Sequence, residues 1–575
     1  MLDLRPACGS LFVTIFIACT SVSAVRPARA QTQESPDAVA SSAGGWAALS
    51  SHDYAEARRR FERALVLEPG NAVALVGLGD ALFWLGDYQR ALGSYERAIE
   101  RAPLLAHAYN GVGHACLNLA GHSHAPRARA ILLDRARGAF VRALALDPAH
   151  RGARDGLALL RQLDAGAASL LPLELVVGGL LLALSALCAR ALRSRHGELE
   201  WRAPLRIFVL SRAIVLLAFA AAPHWLPEAP RHPIAVLADP DSAVLDAVSG
   251  RWDANLYAKV ARTGYAKEGS AAHWGSAGEL PLLPIVFRWS SYVLDDERVA
   301  ALLLPNAALL LATVLFFGYV RERHDARTAG AACWALLLAP GSLYGSVLYA
   351  ESLALLFALL AVRAARGGFA TIAAVSATLA GLARINTLAV VPLLGSEAFR
   401  AFGHLAPRRR RLAAVAIALS PCLGLLLFAV YSHLVLGDAF AYVHELRAHR
   451  FAHAGPLVAL SELYGLLHFG RVAAAGAPSL VFVLALVAIV VYAAAAAGLF
   501  AAREIAAGSV VTLMLALALG SSLAAAPRYL WLAFPAAVWL GRSADRPGLR
   551  IVLGALAGLL LAAVASAFGR FYYVT

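Results

Sequence analysis

Asp253 stands in the run Ser249–Tyr265, SGRWDANLYAKVARTGY, with Arg251 and Trp252 directly before it. The run lies in a long polar loop, residues 223–297, between apolar stretches. A carboxylate at a membrane boundary suits a general base, because partial desolvation raises its proton affinity while neighbours keep it charged. Arg384 lies inside an apolar run, where a guanidinium is costly and marks a functional position by default. Its planar fork is shaped to hold a phosphate through two bonds. Arg528 with Tyr529 forms a second phosphate candidate, Asn386 is a further polar group beside Arg384, and Glu351 with Ser352 can position sugar hydroxyls. Asp239 and Asp241 flank Pro240 at the spacing of an acidic metal-binding pair, or of a simple turn. Each has a structural alternative. Asp253 can be a loop or helix-cap residue, and Arg384 can pair with a helix C-terminus or with Glu351. Arg528 can snorkel toward headgroups, and Glu351 can be a first-turn carboxylate favoured by the helix dipole.

The elements that must position these residues are membrane helices. Of 575 residues, 60% are hydrophobic and 15% charged, against about half and about a quarter in soluble domains. That balance excludes a disordered chain, a coiled coil and a single soluble globule. From Leu170 onward, apolar runs alternate with short loops and predict about twelve spans: 172–193, 204–222, 298–320, 328–349, 351–365, 370–384, 385–399, 412–435, 478–500, 505–525, 528–541 and 551–569. Several fall short of the ~20 residues that cross a bilayer untilted. A further segment, 456–472, reads as re-entrant. The formal charge of +14 comes from arginines in alternate loops, among them Arg193, Arg195, Arg321, Arg323, Arg363, Arg366, Arg408 to Arg411, Arg542 and Arg546. This is the positive-inside pattern rather than a nucleic-acid footprint. It puts loop 223–297, residues 341–351, residues 436–455 and the Pro527–Arg528 turn on the outside.

Residues 1–30 read as an export signal, with an apolar core from Leu11 to Ala24 and small residues at two candidate cleavage sites. Residues 31–44 form a polar linker. Within 45–165, Tyr54, Ala57, Phe61, Ala64 and Pro69 recur 34 residues later as Tyr88, Ala91, Tyr95, Ala98 and Pro103. That period is the tetratricopeptide signature. A third unit follows with Ala136, Phe140, Ala143 and Pro148, after an insertion of about 11 residues placed around Gly121–Arg129. Such a solenoid predicts a groove for a protein partner and no chemistry of its own. Six cysteines stand singly, without a paired spacing, so neither a disulfide framework nor a zinc site is expected. His449 and His453 share helical spacing with no third ligand evident.

Six fragments carry a wider resemblance: the Asp253 run, PLLP from Pro281, LYAESLALLFALL from Leu348, GLARINTLAVVPLL from Gly381, GDAFAYVHELR from Gly437 and APRYLWLAFP from Ala526. In this order the set resembles the second mannosyltransferase of GPI-anchor synthesis and its prokaryotic relatives, within the GT-C superfamily of polytopic glycosyltransferases. The resemblance covers about residues 200–570. Where that family often has histidine three residues after its aspartate, this chain has Leu256.

The resemblance implies a polyprenyl-phosphate sugar donor and transfer with inversion. Asp253 would be the base, with Arg251, Trp252, Tyr265, Glu351, Ser352, Arg384, Asn386, Arg528 and Tyr529 binding substrate. No cofactor is assigned, and a divalent cation is compatible with Asp239 and Asp241. The expected fold is all-α: a GT-C-like helical bundle over 170–575, with outer catalytic loop 223–297, behind an N-terminal tetratricopeptide α-solenoid. The expected setting is a bacterial inner membrane, with the repeats and the site on the periplasmic side. The partners are a polyprenyl-phosphate donor, the lipid bilayer, an unidentified acceptor hydroxyl and a protein bound by the repeats, without nucleic acid. Two alternatives stand beside this one: the same fold with another donor sugar, and a non-catalytic scaffold for envelope assembly.

Overall fold

A computed structural model describes residues 36–193, 200–227, 242–265, 276–445, 479–520, 525–543 and 547–570. The signal at 1–30, the acidic pair Asp239 and Asp241, the segment 456–472, and His449 and His453 lie outside the described residues. Every regular element among the described residues is helical. The chain divides into two compact units, one ending at Ala165 and one beginning at Gly166.

The first unit is a stack of helical hairpins. Asp53, Asn71 and Asp87 each precede a helix and accept the backbone N–H three residues on, which satisfies a donor the helix itself leaves unpaired. The repeated aromatics Phe61, Tyr95 and Phe140 are buried between helices. Each ring lies against glycines: a Cβ on Gly79 or Gly111 would come within 2.5 Å of the Tyr95 ring. The third repeat accommodates its extra residues by lengthening both helices, Ala106–His122 and Pro126–Leu146, beyond the 13 and 14 residues of Ala72–Trp84 and Tyr88–Arg101. Between the second and third repeats, Tyr95 Oη donates to Asp80 at 2.7 Å, and His107 Nε2 meets the other Asp80 oxygen at 3.1 Å. His114 packs edge-on against Phe140. Burial pushes its pKa down to about 4.

Six of the twelve expected spans coincide with helices that meet the length and apolarity of a crossing. These are Arg151–Ala189, Arg202–His224, Glu297–Arg321, Val483–Ala501, Gly548–Gly569 and the pair Pro407–Ala418 with Ser420–Leu436, bent by 48°. The other six correspond to shorter helices, among them Ala326–Leu338, Glu351–Arg366, Ala370–Ala383, Ile505–Leu519 and Ala526–Trp531. Two of these stop at buried 3-10 turns, Pro340–Gly345 and Ile385–Val390. Non-helical backbone at membrane depth is tolerated where protein buries it. The interrupted helices are the ones that carry the candidate site.

Candidate functional site

Helix Asp253–Thr263 opens at a strained turn. Ala254 N donates to Arg251 O at 3.1 Å, and between them Trp252 adopts φ 49°, ψ −123°. Those angles belong to the first central position of a type II′ turn, where glycine is the ordinary occupant. A tryptophan there costs about 1–3 kcal/mol and persists only where its surroundings enforce it. The enforcement is visible one residue earlier. Arg251 is buried, pairs with Asp246 at 2.6 Å and donates to Gly569 O at 2.9 Å. Arg251 thus braces the turn from behind.

Asp253 is the first residue of that helix, where the dipole favours a carboxylate. Its side chain is 18% exposed and accepts from Arg528 Nη1 at 2.8 Å. Its backbone N–H donates to Tyr349 Oη at 3.3 Å. Arg528 also donates through Nε to Glu351 Oε1. The same oxygen takes Arg384 Nη2 at 2.9 Å. Arg384 Nη1 then donates to Tyr257 Oη at 3.2 Å, and Tyr257 lies one helical turn past Asp253. The contacts run from Asp253 through Arg528, Glu351 and Arg384 to Tyr257, and the helix that carries both ends makes them a ring. Glu351 is wholly buried and Arg528 nearly so. Formal charges within the ring cancel, two guanidiniums against two carboxylates. Tyr349 and Tyr344 lie beneath the Arg528 guanidinium, at 4.5 and 5.5 Å from their ring centroids, and Arg384 stands 5.9 Å from the Tyr529 ring. Such faces attract a desolvated cation.

Four elements supply the ring. Glu351 begins helix Glu351–Arg366, and Arg384 ends helix Ala370–Ala383 in extended backbone. Arg528 lies in the short helix Ala526–Trp531, pressed on the 340–345 turn so closely that a Cβ on Gly341 would sit 2.1 Å from Pro527 O. Arg212 fixes that turn from below. It is buried and donates to Leu337 O, Ser342 O, Ser342 Oγ and Ser346 Oγ at 2.5–3.0 Å.

The sequence candidates therefore separate. Asp253, Glu351, Arg384 and Arg528 come together. Arg528 does not snorkel; it points inward. Asn386 is buried nearby in sequence to Arg384, and among the described residues its Nδ2 has no hydrogen-bond partner; the same holds for Arg528 Nη2 and Glu351 Oε2. Ser352 donates its hydroxyl to Gly345 O at 2.7 Å. Tyr265 stands past the other end of the Asp253 helix, donating to Glu279 O at 2.8 Å and packed on Phe428 and Tyr431. It is not part of the ring. Tyr257, Tyr349 and Arg212 were not singled out from sequence. Tyr257 at i+4 from Asp253, Tyr349 two residues before Glu351, and an arginine inside the 204–222 span are the signals available there.

Buried guanidinium and amide donors without protein partners are the chemistry that receives phosphate oxygens, and the carboxylate at the ring's more exposed edge is the group that can take a proton. Among the described residues, no group of three or more metal-ligating side chains converges.

Residues 43–117 match the tetratricopeptide repeat family. The first such domain of human RPAP3 is 21% identical over 22% of this chain and 91% of that one, with a TM-score of 0.20. The Sgt2 domain from Aspergillus fumigatus is 19% identical over 22% and 78%, with a TM-score of 0.20. The Archaeoglobus fulgidus oligosaccharyltransferase in its apo form is 12% identical over 65% of this chain, with a TM-score of 0.33, and the chain spans 56% of its length. No curated protein sequence matches the chain.

Proposed function

We propose that this chain is a membrane glycosyltransferase that moves a hexose, mannose first among the candidates, from a polyprenyl-phosphate sugar to the hydroxyl of an acceptor outside the cytoplasm. The observation that carries the reading is the ring joining Asp253, Glu351, Arg384 and Arg528 across 275 residues of chain. In the reaction, the acceptor oxygen bonds to the anomeric carbon while the bond from that carbon to the phosphate oxygen breaks. The proton passes from the acceptor hydroxyl to Asp253. The leaving phosphate keeps the electron pair and is held by Arg384, Arg528 and Asn386. A lipid-linked donor fits the setting, since a site on the outer face has no nucleotide sugar to draw on. The repeat unit would hold the acceptor or a protein that delivers it.

The test uses purified protein, radiolabelled polyprenyl-phosphate mannose and envelope extract. Wild type labels an acceptor, and Asp253→Asn loses about 10²–10⁴-fold of that rate, the usual worth of general-base help. Equal labelling by both removes the base assignment. Labelling by neither, across several donor sugars, favours the scaffold.

A further inference from the structure

Outside the ring, the arginines of the membrane unit are unevenly paired. Arg323 pairs with the buried Glu397 at 2.8 Å, which ties helix Val391–Ala401 to the end of helix Glu297–Arg321. Around that end, Arg321 pairs with Glu200, Arg363 with Glu322, Arg400 with Glu397 and Arg542 with Glu504. Arg408, Arg409 and Arg411, consecutive with Arg410 at the start of helix Pro407–Ala418, meet no carboxylate among the described residues.

Beside them runs a shallow, open apolar groove of about 230 Å³, lined by Gly395, Phe399, Ala414, Val415, Ala418 and the apolar part of Arg411. Arg410 braces the wall: its Nε donates to Phe399 O at 2.6 Å, and its guanidinium lies 3.7 Å from the Phe399 ring centroid. Leu412, Val415, Leu419 and Leu423 leave much of their surface exposed along the same bent pair of helices, as a face turned to hydrocarbon does.

We propose that this groove is a binding site for an anionic glycerophospholipid. One acyl chain lies along Phe399, Ala414, Val415 and Ala418, and the headgroup phosphate rests on Arg408 and Arg411, which share a helix face with Val415. Basic groups at the mouth of a cleft between membrane helices have the charge and place to capture such headgroups. Topological charge bias alone asks for arginines near the boundary. It requires neither a groove beside them nor a guanidinium fixed to its wall. A free phosphate would use the arginines but not the groove.

Native mass spectrometry of the full-length protein in detergent tests this, with phosphatidylglycerol and phosphatidylcholine of matched chains as probes. The expected result is retention of phosphatidylglycerol over phosphatidylcholine by about tenfold or more, given roughly 1 kcal/mol for each arginine near the phosphate. The R408Q/R409Q/R411Q variant loses that preference. Val415→Trp fills the groove, keeps the arginines and also lowers phosphatidylglycerol retention. Equal retention of both lipids by wild type overturns the site, as does undiminished retention in both variants. Displacement by glycerol phosphate as effective as by lipid overturns it too, since the groove would then contribute nothing. Should the triple variant fail to fold, wild type alone decides: added salt must weaken phosphatidylglycerol retention, and insensitivity to salt refutes the headgroup contact.

Discussion

The repeat unit and the charged ring of the membrane unit differ in how far apart along the chain their defining contacts lie. In the repeats, Phe61 packs on Gly45 and Gly77, Tyr95 on Gly79 and Gly111, and Phe140 on Gly113 and Gly156; each ring meets only neighbouring helices. In the ring, Asp253, Glu351, Arg384 and Arg528 come from four separated elements. The first arrangement is nearly one-dimensional, so a lesion is felt locally. The second depends on every broken helix ending in the right place. The repeats also gain their stability from volume, whereas the ring is held by charges that must all be present. Replacing one group should therefore cost packing in the first and electrostatic balance in the second.

The sharpest break of that contrast is Glu351→Ala. It leaves two buried guanidiniums facing one carboxylate, and breaking a buried ion pair typically costs about 3–5 kcal/mol. The expected outcome is exposure of Cys333, buried in the membrane unit, to a thiol reagent, while the buried Cys116 of the repeats stays protected. Peptide mapping of the labelled cysteine reads each unit separately. Coupled loss of both protections would deny the units their independence.

Gly79→Ala tests the other side. Its Cβ would stand 2.5 Å from the Tyr95 ring, and overpacking costs about 1–3 kcal/mol. Gly93, in the adjoining helix, has nothing within 4 Å of such a Cβ. Gly93→Ala should instead stabilise by about 0.5–1 kcal/mol through helix propensity alone. Cys116 labelling rates rise in the first variant and fall in the second.

Trp252→Gly separates stability from function at the strained turn. Glycine takes the II′ geometry freely, so the membrane unit should gain about 1 kcal/mol, read as slower Cys333 labelling. Sugar transfer should fall, because the turn aims Asp253. A gain in stability with unchanged transfer would make the strain incidental.

The smallest effect is a pH dependence of the repeats. His114 has a folded pKa of about 4, below its unfolded value of about 6.5. Between those values the unfolded chain binds the extra proton, so stability is full above about 6.5 and is lost as pH falls toward about 4. His107 runs the other way. Burial would lower its pKa, but the Asp80 charge and hydrogen bond outweigh that and raise it. Its contribution is therefore full below about 6.5 and is lost as pH rises through the raised value. His114→Phe should flatten the acid limb of Cys116 protection and leave the other limb in place.

Legibility followed the same division. The 34-residue period exposed the repeats because each aromatic and each small residue recurs at fixed offsets. The insertion was located correctly to the third repeat, yet it extends two helices, which periodicity cannot distinguish from a loop. In the membrane unit, apolar composition continues through Pro340–Gly345 and Ile385–Val390, so the helix breaks that aim Tyr349 and Arg384 are invisible to hydropathy. Glu351, Arg384 and Arg528 were recoverable because a charge in or beside an apolar run is conspicuous, and Asp253 because of the motif around it. Tyr257 and Tyr349 were not, because a tyrosine there is unremarkable without its partner. Ser352 and Tyr265 bond backbone carbonyls outside the ring, and motif membership does not tell which polar atom a backbone carbonyl claims.

Arg528 is shared between Asp253 and Glu351. Under the proposed chemistry, an arriving phosphate must compete for that guanidinium, and the contact most open to solvent, the one to Asp253, is the first to yield. The donor would then unlock the proton acceptor by its own arrival. An idle enzyme would keep that acceptor latched, and stray water would find no partner ready to activate it.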